Sequence, residues 1–189
     1  MCADTSQHGT MLVLITGAAV MNSTVPDTTS GYSVLFLCMG NICRSPTAHG
    51  VFETLVARAG LSDRVRVDSA GTHSYHVGAT PDARSREHAL KRGYDLSGQR
   101  ARQLKTADFD AFDLVLAMDW DNLTLAQTLC PPQHERKLRR LAEFFQRHDS
   151  PVVPDPYLGG SQGFEDVLDL VEDGCTGLLR HVQQQLQVR

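Results

Sequence analysis

The stretch Val34-Leu-Phe-Leu-Cys-Met-Gly-Asn-Ile-Cys-Arg-Ser-Pro-Thr-Ala-His-Gly-Val-Phe52 decides the fold. Its first part, read with Ser33 as Ser33–Leu37, is a short apolar run suited to a strand buried on both faces. After Arg44, the residues Ala48, Val51, Phe52, Leu55, Val56 and Ala59 recur at helical spacing, and Gly60 is placed to stop the helix. Pro46 belongs in the first turn of that helix. A strand, a seven-residue loop and a helix therefore follow one another, with a thiol at the strand's carboxyl end and an arginine where the helix begins.

Working outward, strand and helix patterns alternate. Arg64–Thr72 reads as a strand leading into a loop. Pro81–Tyr94 reads as a helix with Pro early and Gly93 near its end. Phe112–Met118 reads as another buried strand, with a short helix from about Trp120. Glu135–Phe145 fits either a strand and loop or a short helix. Val152–Gly160 is a loop, punctuated by two prolines and two glycines. Phe164, Val167, Leu168, Val171, Cys175, Leu178, Leu179, Val182 and Leu186 form the stripe of a long amphipathic helix. Alternation of this kind implies βαβ units and a parallel sheet with helices on both faces. Ligands of such sheets bind beyond the carboxyl ends of the strands, which is where Cys38 falls.

The chain has 189 residues, 41% of them hydrophobic, enough for one domain with a real core. Residues 1–31 read as an extension preceding the 32–189 domain and poorly ordered. Asn22–Gly31 is a polar linker, and the apolar run Met11–Met21 is too short to span a bilayer and lacks a basic flank. The net charge of −4 makes no case for nucleic acid. The charge is uneven: Arg44–Lys105 holds eleven basic and six acidic residues, whereas Thr106–Arg189 holds seven basic and fourteen acidic. Solvated helix faces or a basic rim around an anion site would each explain this. Five irregularly spaced cysteines in a chain of this size point to a reducing, cytoplasmic compartment rather than a disulfide framework. No membrane partner is expected.

The loop Cys38–Ser45 has its own chemistry. Gly40 and Asn41 are the residues that most easily take left-handed backbone angles, and a loop curled that way turns its N–H groups inward as an anion nest. The following helix points its positive end at the same spot. Met39, Gly40, Asn41, Ile42 and Cys43 then form a phosphate cradle, and Arg44 adds a planar fork for two phosphate oxygens. The donors that hold phosphate also favour a thiolate, so Cys38 is expected to ionise below the free-thiol range and to attack phosphorus in line. Ser45 can donate to the Cys38 sulfur. Asp155, in Pro-Asp-Pro-Tyr, is the candidate proton donor to the leaving oxygen, with Tyr157 beside it to flank an aromatic substrate.

These residues carry a resemblance. CMGNICRSP (Cys38–Pro46) with the downstream DPY (Asp155–Tyr157) is similar to the low-molecular-weight protein tyrosine phosphatase family, and to its bacterial-type members. SAGT (Ser69–Thr72), HVG followed by PD (His76–Asp82), ARQ (Ala101–Gln103) and AMD with a following Asn (Ala117–Asn122) extend the likeness over residues 33–189. The resemblance implies a three-layer α/β/α fold with a central four-stranded parallel sheet. It also implies phosphotyrosine hydrolysis through a cysteinyl-phosphate, with Cys38 as nucleophile, Arg44 as phosphate binder and Asp155 as general acid and then base. Asn41 would hold the loop by side-chain hydrogen bonds and Ser45 would support the thiolate. Ile42, Tyr75 and Tyr157 would wall a slot for a phenyl phosphate, where related arginine phosphatases tend to have Thr at the Ile42 position. No metal or cofactor is implied. The implied partner is a phosphotyrosine protein, with a bacterial tyrosine kinase of polysaccharide export as one candidate; oligomeric state stays open.

Some positions depart from the family pattern. Gln99 stands where some members have a His bonded to the loop Asn; Gln can make a similar bond, which leaves the detail of loop support open. His49 and Gly50 replace the usual Glu and Ala, and Gly50 costs about 1 kcal/mol within a helix. Cys43 is either a disulfide partner for Cys38 or a plain buried thiol. The cysteine relay of arsenate reductases is disfavoured, since no cysteine lies between Cys43 and Cys130. A zinc site from Cys38, Cys43, His73 and His76 has the wrong spacing and would block the cradle. A silent phosphate-binding module would lack the nucleophile, arginine or acid, and all three are present. His88, His134, His148 and His181 read as surface residues.

Overall fold

The computed structural model describes Met1 and residues 31–188. The expected extension 1–31, its ends apart, lies outside the described residues. Four parallel strands, β1 (Tyr32–Cys38), β2 (Val65–Gly71), β3 (Leu114–Ala117) and β4 (Leu138–Arg140), form one sheet in the order β2-β1-β3-β4. Among the described residues five helices accompany them: α1 (Arg44–Arg58), α2 (Ala83–Lys91), α3 (Asp108–Ala111), α4 (Trp120–Leu129) and α5 (Ser161–Val188). The expected α/β/α architecture is present.

Side chains of β1 point alternately to the two faces, and both are apolar because both are covered. Val34, Phe36 and Cys38 join Val51 and Phe52 of α1 and Val171 and Leu178 of α5 in one core. Leu35 and Leu37 join Phe109 of α3, Ala126 of α4 and Val115 in the other. The Phe36 and Phe52 rings meet edge to face, with centroids 5.8 Å apart. Each such fully buried aromatic contributes roughly 1.5–3 kcal/mol through removal from water. Because β1 has β2 on one side and β3 on the other, the chain leaves in opposite directions around its carboxyl end. That end therefore opens a crevice, and Cys38 is the last residue of the strand, in register with Gly71.

Several expected boundaries shift. The helix expected over Pro81–Tyr94 starts at Ala83, because Asp82 caps it: its side chain accepts from the Arg84 N–H at 2.8 Å. Gly93, with φ of 86°, ends it. Glu135–Phe145 contains a short strand flanked by 3₁₀ turns, Pro132–Lys137 and Leu141–Phe144. Gly50 is explained by close approach, since a Cβ there would lie 2.3 Å from Leu96 Cδ2. Among the four histidines expected at the surface, His88 is buried between α2 and α5, where it stacks on Phe164. Among the described residues no helix is long and apolar enough to cross a membrane.

Candidate active site

The loop from Cys38 to Arg44 is shaped by bonds to its outer side. The carbonyls of Cys38 and Met39 accept from the N–H groups of Thr72 and His73, at 2.8 and 3.0 Å. Those of Ile42 and Cys43 accept from Asp82 and Thr47, at 2.8 and 3.2 Å. Across a planar trans peptide the next N–H points the opposite way. The amides of Met39, Gly40, Cys43 and Arg44 are thus turned to the inner side of the curl, above the strand end. Asn41 takes the left-handed conformation, with φ of 55°; Gly40 does not. Gly40 is instead a site of close approach, where a Cβ would lie 2.8 Å from His76 Cδ2. Gly71 serves the same purpose from β2, since a Cβ there would lie 2.8 Å from the Met39 carbonyl oxygen.

Beneath the curl the polar groups are matched. Cys38 Sγ lies 3.1 Å from Ser45 Oγ. Asn41 Nδ2 donates to Ser45 Oγ and Ser69 Oγ, each at 2.9 Å, and Asn41 Oδ1 accepts from the Arg102 N–H at 2.9 Å. Ser45, Asn41 and Ser69 are all buried, so these bonds satisfy groups that water cannot reach. Gln99 does not make the bond to Asn41 that its amide could have made. Its Nε2 donates to the Pro46 carbonyl at 3.1 Å, and His49 Nδ1 stands 3.4 Å from Ser69 Oγ instead.

Arg44 is only 2% exposed, and its guanidinium is held from three directions. Nη1 bonds Asp119 Oδ2 and donates to the Val153 carbonyl at 3.2 Å; Nη2 donates to Asp155 Oδ2 at 2.7 Å. Burial works against its charge, but the Cys38 sulfur and the two carboxylates outweigh it and raise the Arg44 pKa above its usual value. Asp155 lies on the loop before α5, where its Oδ1 accepts from the Tyr157 N–H at 3.1 Å. Arg84 of α2 secures that loop: Nη1 donates to the Tyr157 carbonyl at 3.2 Å, and the guanidinium lies 4.7 Å from the Phe164 ring centroid. Ser161, at the start of α5, lies 3.1 Å from His88 Nε2, while His88 Nδ1 is 2.5 Å from Glu165 Oε1.

Of the eleven residues expected at the site, nine line one cleft of about 120 Å³: Cys38, Met39, Gly40, Ile42, Cys43, Arg44, Tyr75, Asp155 and Tyr157. The other two, Asn41 and Ser45, lie beneath it. His76 is a tenth lining residue. Tyr75 stands at the rim, 72% exposed and stacked on His73 with centroids 5.0 Å apart. Burial pushes the Cys43 thiol up to about 12, with Asp82, Cys38 and Asp155 adding to that and Ser85 opposing it. Cys43 is therefore a thiol at neutral pH, and Cys38 is the sulfur that has Ser45 and Arg44 beside it. A larger open groove of about 510 Å³ lies beside Tyr32, Asp63 and Arg64 and brings no thiol. The smaller cleft brings a thiol, a guanidinium and a carboxyl together.

Asp119, Ser69, His49 and Arg84 were given no role by the sequence. Asp119 caps α4, accepting from the Asn122 N–H at 2.7 Å, and the Asp-x-x-Asn spacing before a helix is the one local signal of its place. Its bond to Arg44 spans 75 positions and has no local signature. Among the described residues no group of three or more His, Cys, Asp or Glu side chains is placed to hold a metal ion.

A thiol at the foot of a curled loop, a fixed guanidinium and a carboxyl bonded to it meet in one cleft, an arrangement chemically able to pass a phosphoryl group to sulfur. Comparison with known proteins agrees. The family model for low molecular weight phosphotyrosine protein phosphatase matches residues 33–188. The Synechocystis protein slr0328 is 46% identical over 154 residues, which is 81% of this chain and 98% of that protein. The low molecular weight protein-tyrosine-phosphatase YfkJ of Bacillus subtilis is 37% identical over 82% of this chain and 99% of its own. A crystal structure of a protein tyrosine phosphatase from Entamoeba histolytica, with Hepes in its active site, superposes with a TM-score of 0.80 at 37% identity. It covers 82% of this chain and 99% of that one.

Proposed function

The chain belongs to the low molecular weight phosphotyrosine protein phosphatase family and is a protein-tyrosine-phosphatase, and on that premise we propose which residues carry the reaction. Cys38 Sγ attacks the phosphorus of a bound phosphotyrosine, and the bond from phosphorus to the tyrosyl oxygen breaks. Asp155, in its acid form, gives that oxygen a proton. Asp155 then takes a proton from water as the water attacks the cysteinyl-phosphate, the S–P bond breaks, and inorganic phosphate leaves. The Ser45 hydroxyl, 3.1 Å from Sγ, steadies the departing thiolate. Arg44, exchanging its bond to Asp155 for one to the phosphoryl group, holds the equatorial oxygens together with the inward amides. The observation that carries this reading is the Arg44–Asp155 bond of 2.7 Å, which brings phosphate binder and acid to the mouth of the loop that ends on Cys38.

Specificity follows from depth. Ile42, Tyr75 and Tyr157 line the approach to Cys38, so a phenyl ring can lie between them while its phosphate reaches the sulfur. The short stem of phosphoserine would hold its phosphate above that position. The substrate is accordingly a phosphotyrosine protein, with a bacterial tyrosine kinase as one candidate. Residues 32–189 are the catalytic domain and 1–31 an extension outside it. A cytoplasmic setting is supported by Cys38, Cys43, Cys130 and Cys175, all free thiols. The test is kcat/KM on matched phosphotyrosine, phosphoserine and phosphoarginine peptides. Preference for phosphotyrosine by about a hundredfold or more is expected. Equal rates on phosphoserine, or a preference for phosphoarginine, would refute the slot.

A further inference from the structure

A second opening, of about 400 Å³, shares no lining residue with the catalytic cleft; His49, Ser69 and Gln99 form part of its wall. His49 lies on α1 one turn beyond Ser45, with only 13% of its side chain exposed. From its Nδ1 a chain of hydrogen bonds runs inward: 3.4 Å to Ser69 Oγ, 2.9 Å to Asn41 Nδ2, 2.9 Å to Ser45 Oγ and 3.1 Å to Cys38 Sγ. An imidazole at a second opening is thus connected to the nucleophile by four contacts.

We propose that His49 is a positioning residue whose protonation state sets how firmly Ser69 and Asn41 support the phosphate loop. The inference rests on the phosphatase reading above. Ser69 is 4% exposed, so its hydroxyl hydrogen needs an acceptor inside the protein. A neutral ring with a bare Nδ1 supplies one, and the Ser69 oxygen keeps its lone pairs for Asn41 Nδ2. A protonated ring turns Nδ1 into a donor aimed at the same oxygen. The Ser69 hydrogen then loses its acceptor, and a buried hydroxyl is left unsatisfied or turns away from Asn41. Asn41 is the one non-glycine residue with positive φ among the described residues, so its conformation depends on those side-chain bonds.

The surroundings place this switch in acid. Burial lowers the pKa of His49; Glu53 on α1, 3.9 Å from Nε2, and Asp68 on β2 oppose that, and Arg102 reinforces it. Asp95 and Arg100, on the segment after α2, line the same opening with opposite charges.

The test compares wild type with His49→Asn, whose amide oxygen can replace Nδ1 as an acceptor but does not titrate, and with Ser69→Ala, which keeps the ring and cuts the chain. Each kcat/KM is divided by the wild-type value at the same pH, from about pH 4.5 to about pH 8, so the ionisation of the substrate cancels, and the midpoint of any change is compared with that of His49. The His49 titration is followed by NMR, its signal assigned by its loss in His49→Asn. Both ratios should rise about fivefold or more as pH falls through the His49 midpoint. Ratios that stay flat through that midpoint, or a His49 that does not titrate in the range, would overturn the inference while leaving an active phosphatase. An inactive wild type would overturn both readings.

Discussion

Arg44 gathers the charges of the site, touching Asp119, Val153 and Asp155 with one planar group. A lysine offers a point charge without that fork. Arg44→Lys should lower kcat/KM by about a hundredfold or more, as measured by initial rates on a phosphotyrosine peptide. Asp155→Ala should lower kcat by about 10²–10⁴ on phosphotyrosine and by less on an aryl phosphate with a more acidic leaving group, which needs the proton less. A loss equal on both substrates would remove Asp155 from the acid's role. The residues that sequence identified are mostly neighbours along the chain, from Cys38 to Ser45, and their chemistry is visible in their order. Asp119, Ser69 and His49 are different. Asp119 meets Arg44, Ser69 meets Asn41 and His49 meets Ser69 only because β1, β2 and β3 run side by side with α1 packed against them, and no spacing announces that. The partner of Gln99 stayed open for the same reason: an amide suits a bond to Asn41, but this one faces Pro46.

At the scale of elements, strand β1, helix α1 and helix α5 were legible because their apolar residues keep one period over many positions. Residues 135–145 were not, since a three-residue strand between 3₁₀ turns is too short to show any period. The close packing of α5 was also hidden. Gly177 lies where a Cβ would stand 2.0 Å from the backbone carbonyl oxygen of Phe144, and Gly174 meets Leu141 and Phe145. Alanine normally stabilises a helix interior by about 1 kcal/mol over glycine, but here the backbone would have to move. Gly177→Ala should therefore destabilise by roughly 1–3 kcal/mol and lower Tm, read by calorimetry; a raised Tm would show that α5 is not seated against Phe144.

For the whole molecule, the uneven charge has a structural explanation beyond the two that composition offered. Arg92, from the basic half, pairs with Glu165, Asp169 and Glu172 of α5, from the acidic half. Arg102 likewise takes Asp108 at 3.0 Å. Part of the imbalance is thus matched across the α2–α5 contact and the edge beside β2. Acid stability has further sources. Asp173 is 1% exposed; burial alone would raise its pKa, but the N–H groups of Arg147, His148 and Gln146 and the His148 ring together hold it down to about 2. A depressed carboxyl stabilises the fold above its unfolded value near 3.8 and loses that contribution as pH falls through about 2, a loss of about 2 kcal/mol. His181, whose pKa is lowered by burial with Arg139 adding to it, acts earlier: stability declines as pH falls below the ordinary histidine value of about 6.5. Urea unfolding against pH should show both steps, and Asp173→Asn should remove the lower one.

The central claim, that the sulfur of Cys38 carries the phosphoryl group, is tested most directly by quenching the enzyme in acid during turnover of an aryl phosphate and mapping phosphate by mass spectrometry. The account predicts one phosphoryl group on Cys38, and neither adduct nor turnover in Cys38→Ser. Steady turnover with Cys38 unmodified, and undiminished by that substitution, would contradict it.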